Sequence, residues 1–180
     1  CRRATKAMPK EMLTGVDRPL SQYVYDEARA AGGEKYIFVT GRGKAIIEDH
    51  FDIAFELEET LRARDKLDRL EEVKSAQPEA GAVSFTRQQA PLGLGHAVWC
   101  AREIVGNQPF ALLLPGLLVH SVPRCLAQLI DVYHAQRRRT VIAVEEVPVD
   151  QLHQSDVAEL PGDGYVFQLP CLDAHPPTLP

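Results

Sequence analysis

The chain has 180 residues, of which 45% are hydrophobic and 25% charged, as in an ordinary globular domain or part of a larger one. Its net charge of −5 argues against nonspecific binding to nucleic acid along the whole surface. No apolar run approaches the ~20 residues that cross a bilayer, and no signal segment opens the chain, so we predict no membrane partner.

Hydrophobic periodicity and turn residues predict alternating helices and strands. In chain order they are a helix over 18–31, a strand over 35–40, a helix over about 51–73, a strand over 82–86, a helix over 96–105, a strand over 110–114, a helix over 123–136 and a strand over 140–144. This alternation, with apolar strands, predicts an α/β fold with a mostly parallel sheet and helices on both faces. The first helix places Leu20, Tyr23, Val24, Ala28 and Ala31 on one face, and the long helix has Phe51, Phe55, Leu67, Leu70 and Val73 among its inward candidates.

One domain is predicted over 1–169, followed by an irregular tail over 170–180, which contains four prolines. The four cysteines lack CxxC spacing, which argues against a zinc site and indicates free thiols in a reducing compartment. We therefore predict a cytoplasmic location.

Positive charge is concentrated in the N-terminal third. Residues 1–44 hold nine Lys or Arg against five acids, whereas 48–79 hold eleven acids against five bases. After Arg139 there are seven acids and no Lys or Arg. An anion such as a phosphate is therefore predicted to dock near the N-terminal third. The alternative is a solvated surface with uneven charge.

Three loops could carry chemistry, because ligands bind outside the carboxyl ends of the strands in such sheets. The first, ATKAMPKEML (4–13), places Lys6 and Lys10 around the rigid Pro9. A lysine beside a fixed turn is a good point charge for a phosphate. The alternative is a pair of ordinary surface lysines.

The second loop, RQQAPLGLGHA (87–97), places two glycines between a strand and a helix. Glycines let a flat ring or a phosphate approach the backbone, and the Gln88 amide can pair with a base edge such as uracil. The alternative is a plain turn into a helix N-terminus. His96 could act as a base, although a histidine at a helix start is more often structural.

The third loop follows the apolar run FALLLP (110–115), where a nucleotidyl-transfer enzyme would carry a metal-binding carboxylate. Gly116 and Leu117 stand there instead. The nearest polar side chain, His120, makes a poor magnesium site, since magnesium prefers carboxylate oxygens and water. No metal ligand is therefore predicted at Gly116.

Together these stretches resemble the bacterial-type UTP–glucose-1-phosphate uridylyltransferases. The matching segments follow the family order from residue 4 to about 148: ATKAMPKEML, YIFVTGRGK, IEDHFD, FELEETL, PLGLGHAVWCAR, FALLLP and CLAQLIDVY. The combination of KAMPKEML with PLGLGHAV is highly specific for this family.

The resemblance implies a Rossmann-like nucleotidyltransferase that joins UTP and glucose 1-phosphate, with Mg²⁺, to give UDP-glucose and pyrophosphate. By resemblance Lys10 lies near the phosphates as the catalytic residue, and Glu11 and Gln88 help to hold the uridine. Gly93 gives the base close access to the backbone. A homo-oligomer is expected.

Departures from the family pattern bear on activity. The chain is expected to be truncated at both ends: the family opens with a central strand and a glycine-rich loop upstream of the match, and continues beyond it. Gly116 and Leu117 replace a paired Asp-Asp, Ser155 and Asp156 replace a Tyr-Gly, and Ala174-His175-Pro176 replaces Glu-Lys-Pro. The activity of the 180-residue chain alone is therefore doubtful. The alternative is an inactive homologue or fragment that binds a uridine nucleotide or an active partner subunit.

Overall fold

The computed structural model describes residues 8–136 and 140–144, together with the backbone of 155–156 and 169–170. The chain divides into two compact units, Cys1–Leu118 and Val119–Pro180. The predicted division at residue 169 stays a prediction. The described elements are a 3₁₀ turn Lys10–Met12, α1 Leu20–Ala30, β1 Tyr36–Thr40, α2 Ala45–Phe51, α3 Phe55–Ala63, α4 Leu67–Ala76, β2 Val83–Arg87, α5 Leu94–Cys100, α6 Arg102–Val105, α7 Cys125–Ala135, β3 Ser155–Asp156 and β4 Leu169–Pro170.

The first unit is built on the parallel pair of β1 and β2, which run in register from Tyr36 opposite Val83 to Thr40 opposite Arg87. Side chains alternate between the two faces of a strand. On one face, four partly buried side chains pack on a core cluster. The cluster is Met12, Tyr25, Ile47 and Phe51, and the strand residues are Tyr36, Phe38, Val83 and Phe85. The 3₁₀ turn, α1 and α2 therefore cover this face.

The opposite face of the pair meets α5, which contacts both strands. Thr86, whose neighbour Phe85 lies on the core face, donates from Oγ1 to the Cys100 carbonyl at 3.5 Å. The parallel pair therefore has helices on both faces, and this part of the predicted α/β architecture is confirmed.

The single helix predicted over 51–73 is wrong, because the structure divides this region among α2, α3 and α4. After α2, the Asp52 side chain accepts a hydrogen bond from the Ile53 N–H at 2.8 Å, a local bond that competes with helix continuation. After α3, Asp65 adopts a left-handed φ of 53°. These breaks turn Phe55 and Leu67 outward, with 64% and 54% of their surface exposed, so both inward predictions are wrong.

The strands predicted over 110–114 and 140–144 are also wrong, because neither segment has strand structure. A strand requires a neighbour that completes its hydrogen bonds, and no residue of the described ranges pairs with either segment. Apolar composition predicted buried strands here, yet Phe110, Leu112 and Ile142 are each at least half exposed.

The second unit contains α7 and a short antiparallel pair, β3 with β4. From α7, the Gln128 amide donates to the Pro123 carbonyl at 2.7 Å and to Ser121 Oγ at 3.3 Å, which ties the helix to the segment that leads into it. The helix predicted over 123–136 is thus confirmed in α7. None of the helices within the described residues has the length and apolar character needed to span a membrane.

Candidate functional site

The carboxyl ends of β1 and β2 define the candidate site. Thr40 ends β1 opposite Arg87, which ends β2. Beyond the last strand pair, the Gln88 N–H still donates to the Thr40 carbonyl at 2.9 Å. The loops that follow the two strands therefore leave the sheet at the same edge, where ligands bind in open parallel sheets.

Glu11 reaches this edge from the 3₁₀ turn. The adjacent Met12 is buried in the core cluster, which anchors the turn against the sheet. Glu11 Oε1 lies 2.8 Å from Lys44 Nζ, in the loop after β1. Its other oxygen, Oε2, is buried and receives no hydrogen bond from any residue in the described part of the chain. One Glu11 oxygen is therefore paired with a lysine, and the other has no hydrogen-bond donor within the described residues.

Gln88 lies on the other side of the same loop edge, half-buried at the start of the loop after β2. Its Nε2 donates to the Gly93 carbonyl at 2.9 Å and lies 3.1 Å from His96 Nδ1. A carbonyl oxygen only accepts, so the contact with Gly93 fixes which end of the amide is nitrogen. The glutamine is thus held across the loop 88–96 and joined to the first turn of α5.

Gly93 is the residue just before α5, and its backbone has a φ of +90° and a ψ of −179°. This region is essentially restricted to glycine. A Cβ built at Gly93 would meet no atom within 4 Å, so the space beside this backbone is open. The structure therefore explains the glycine by its conformation and leaves room for a flat group beside it.

Two cations lie at this edge, and a third, Lys10, is next to Glu11 in the 3₁₀ turn. Arg42 and Arg87, with Gln88 and Gln89, line a cavity of about 390 Å³. Arg87 also lies 3.5 Å from the Gly41 carbonyl. Lys10 is exposed, and within residues 8–136 and 140–144 no carboxylate pairs with any of these three side chains. Arg42 and Arg87 are not predicted as site residues from the sequence, although Arg42 lies in the matching segment YIFVTGRGK and Arg87 begins the loop 87–97.

Gly116 lies in a turn after the unpaired segment 110–114, where the Leu117 N–H donates to the Leu114 carbonyl at 3.0 Å. In the described ranges, no three His, Cys, Asp or Glu side chains are placed to hold a metal together. Lys6 and the segment around His175 lie outside the described residues, and of Ser155 and Asp156 only the backbone is described. Their predicted roles stay predictions.

Comparison with known proteins identifies close relatives. No protein-family model matches the chain. UTP–glucose-1-phosphate uridylyltransferase of Komagataeibacter xylinus is 48% identical over 148 residues, which are 82% of this chain and 52% of that protein. The Bacillus subtilis enzyme of the same name is 44% identical over 175 residues, which are 97% of this chain and 59% of that protein. This chain thus spans between half and three fifths of the length of these relatives.

Solved structures agree with the sequence relatives. UDP-glucose pyrophosphorylase from Acinetobacter baumannii superposes with a TM-score of 0.78 at 44% identity, over 89% of this chain and 57% of that one. The UTP-bound enzyme from the same species gives a TM-score of 0.77 at 41% identity, over 95% and 64%. The resemblance seen in the sequence and the nucleotidyltransferase fold are therefore confirmed.

Proposed function

Because this chain is homologous to the bacterial UTP–glucose-1-phosphate uridylyltransferases, we propose that it serves the formation of UDP-glucose and pyrophosphate from UTP and glucose 1-phosphate. In this reaction an oxygen of the sugar phosphate attacks the α-phosphorus of UTP. The bond between that phosphorus and the bridging oxygen breaks, and pyrophosphate leaves with the electron pair.

The observation that supports uridine binding is the arrangement of Gln88 and Gly93. The amide of Gln88 is held in one orientation, beside open space along the backbone of Gly93. A flat base can lie against that glycine while its edge meets the amide. Glu11, whose Oε2 lacks a donor within the described residues, is proposed to contribute to the same uridine site.

The phosphates are proposed to lie toward Lys10, Arg42 and Arg87. Their charge is not neutralised by a carboxylate within the described residues. Arginine guanidinium groups match phosphate oxygens in pairs, and a lysine acts as a point charge. The chemistry requires little covalent help, so these cations would act by offsetting the negative charge that develops as pyrophosphate departs.

Magnesium, which the family resemblance implies, does not fit the residues described at Gly116. Magnesium is held by carboxylate oxygens and water, but glycine has no side chain and its neighbour Leu117 has only an apolar one. This observation favours a second candidate function, in which the protein binds a uridine nucleotide and acts with an active partner subunit. Homo-oligomerisation and a cytoplasmic location remain our predictions.

Binding of UTP to the 180-residue chain tests the proposal. Calorimetry should show UTP binding in preference to ATP, and Gln88→Ala should weaken UTP binding by roughly 1–3 kcal/mol, the cost of leaving a polar partner unpaired. Gln108→Ala, at an exposed position after α6, is the matched control and should bind as the wild type does. Equal affinity of Gln88→Ala and wild type would contradict the uridine site.

A further inference from the structure

We propose that His96 is a positioning residue that determines which polar group of Gln88 faces the ligand, and thereby favours uracil over cytosine. The inference rests on the proposed uridine site. It goes beyond that site by assigning base selectivity to a histidine that is predicted only as a structural residue or a base.

Both hydrogens of the Gln88 amide are used inside the protein. The amide nitrogen carries two hydrogens, and the structure places two acceptors near it, the Gly93 carbonyl at 2.9 Å and His96 Nδ1 at 3.1 Å. Since Gly93 fixes the nitrogen end, His96 Nδ1 must be the acceptor and its proton must lie on Nε2. Neither amide hydrogen then remains for a ligand.

Only the carbonyl oxygen of Gln88 is left to meet a ligand, and no residue of the described ranges donates to it. Uracil has an N–H donor at its ring position 3, whereas cytosine has an acceptor there. An oxygen held in place by the protein therefore accepts from uracil but faces a second acceptor in cytosine. The fixed amide thus discriminates between these two bases by a hydrogen bond gained or lost.

His96 is itself held in place. Its ring stacks on Trp99 with the ring centroids 5.8 Å apart and the planes 22° from parallel. Cys100 Sγ lies 3.8 Å from the same Nδ1, but the amide nitrogen is closer and is the stronger donor. To donate to cytosine, the Gln88 amide would have to rotate until its nitrogen faces the base. This rotation breaks two internal hydrogen bonds when His96 is present, but only one when the histidine acceptor is missing.

Substitutions at His96 that move or remove the acceptor provide the test. His96→Asn places an oxygen acceptor where Nδ1 lies, His96→Gln places it near the Nε2 position, and His96→Phe keeps an aromatic ring next to Trp99 without an acceptor. We expect the ratio of UTP to CTP affinity, measured by calorimetry, to be retained in His96→Asn. It should fall by about two- to tenfold in His96→Gln and His96→Phe, the value of one hydrogen bond.

The comparison of His96→Asn with His96→Gln keeps the test decisive if His96→Phe does not fold. An unchanged ratio in His96→Gln, with UTP still bound, would overturn the role of His96 and leave the proposed function intact. A wild-type chain that binds neither UTP nor CTP would overturn the proposed uridine site, and the selectivity inferred from it.

Discussion

At the scale of single residues, the conformation of Gly93 leads to a prediction about stability. Its φ of +90° combined with an extended ψ strains any residue that carries a Cβ. Gly93→Ala should therefore lower the free energy of unfolding by about 1–3 kcal/mol in urea titrations. The loss cannot come from a clash, since a Cβ there meets no atom within 4 Å.

Gly95 provides a matched control two residues further along. It lies inside α5, its φ is not in the left-handed region, and its Cβ position is also open. Gly95→Ala should raise the free energy of unfolding by roughly 0.5–1 kcal/mol, because alanine loses less backbone entropy in a helix. Similar effects from both substitutions would refute the conformational explanation.

The Glu11–Lys44 pair leads to a second prediction. The Glu11 side chain is only 12% exposed, so the ion pair is largely shielded from water. Lys44→Met should destabilise the protein more in the wild-type background than in a Glu11→Gln background. A double-mutant cycle of unfolding should give a coupling energy of about 0.5–3 kcal/mol between the two residues. The carboxylate left without its cation causes the difference.

The exposed pair Arg69–Glu72 is the control for this cycle. Its side chains are 72% and 67% exposed, and exposed ion pairs contribute only about 0–1 kcal/mol. Equal coupling in the two cycles would mean that burial does not strengthen the Glu11–Lys44 interaction, which contradicts the prediction.

The sequence could predict Gln88 as a ligand-facing amide because a glutamine beside a glycine-rich loop suits a base edge. It could not predict the orientation of that amide. The orientation depends on the Gly93 carbonyl and on His96, five and eight residues away, which the start of α5 brings to the same nitrogen. Such contacts appear only when the loop geometry is known.

At the scale of elements, Gln22 connects three helices. From α1 its amide donates to Asp26 at 3.0 Å and to the Ala76 carbonyl of α4 at 3.3 Å. Its oxygen lies 2.9 Å from His50 Nε2 of α2 and must accept from it, because the amide nitrogen is already placed by two acceptors. A buried glutamine thus has each of its groups paired.

This contact leads to a pH prediction. Burial lowers the pKa of His50 from its ordinary 6.5, and the nearby Asp26 opposes this effect. The unfolded chain therefore binds a proton more readily than the folded one, so stability falls as the pH drops below about 6.5. The free energy of unfolding should decline less steeply between pH 7.5 and 5.5 in His50→Asn, which cannot titrate.

The exposed His134→Asn is the matched control for the loss of a histidine as such. Parallel declines in wild type and His50→Asn would show that His50 does not contribute to the pH dependence.

Hydrophobic periodicity predicted the extent of α1 but not its buried face. It grouped Leu20, Tyr23 and Val24 on one apolar face, whereas the buried residues are Ser21, Gln22 and Tyr25. Polar side chains can be buried when they are hydrogen-bonded, as Ser21 is to Met12 Sδ at 3.4 Å and Gln22 is to its three partners. A pattern of apolar residues does not contain that information.

At the scale of the whole molecule, the combination of the proposed uridine site with Gly116 predicts binding without efficient turnover. We expect the 180-residue chain to release pyrophosphate from UTP and glucose 1-phosphate at well below about one turnover per second, the lower end of the usual range for enzymes. A higher rate at saturating magnesium would show that other groups provide the missing charge stabilisation.

Gly116→Asp introduces a carboxylate at this position and can be tested in the same pyrophosphate-release assay. A Cβ at Gly116 meets no atom within 4 Å, so the aspartate should be tolerated without loss of stability. We expect turnover to stay low, because the resemblance implies that His175 also replaces a lysine, that of the family's Glu-Lys-Pro. Recovery of turnover by Gly116→Asp alone would identify the lost carboxylate as the sole defect.

The sequence predicted the strands β1 and β2 because both contain β-branched and aromatic residues, and in the structure the two strands complete each other's hydrogen bonds. It did not predict that Phe110 and Leu112 lie outside any strand, since apolar composition indicates a preference for burial and not the presence of a neighbour. The local sequence pattern therefore identified the strands that have a neighbouring strand within the described ranges.

Trp99 is the only tryptophan of the chain, and its ring contacts His96 and Arg102. The ring stacks on His96, and the Arg102 guanidinium lies 3.7 Å above it. More than half of its surface is exposed to solvent. The protein consequently carries an intrinsic fluorophore one contact away from the histidine that holds Gln88. Its emission offers a label-free optical signal, free of interference from any other indole, for following events at the loop 88–96 in real time.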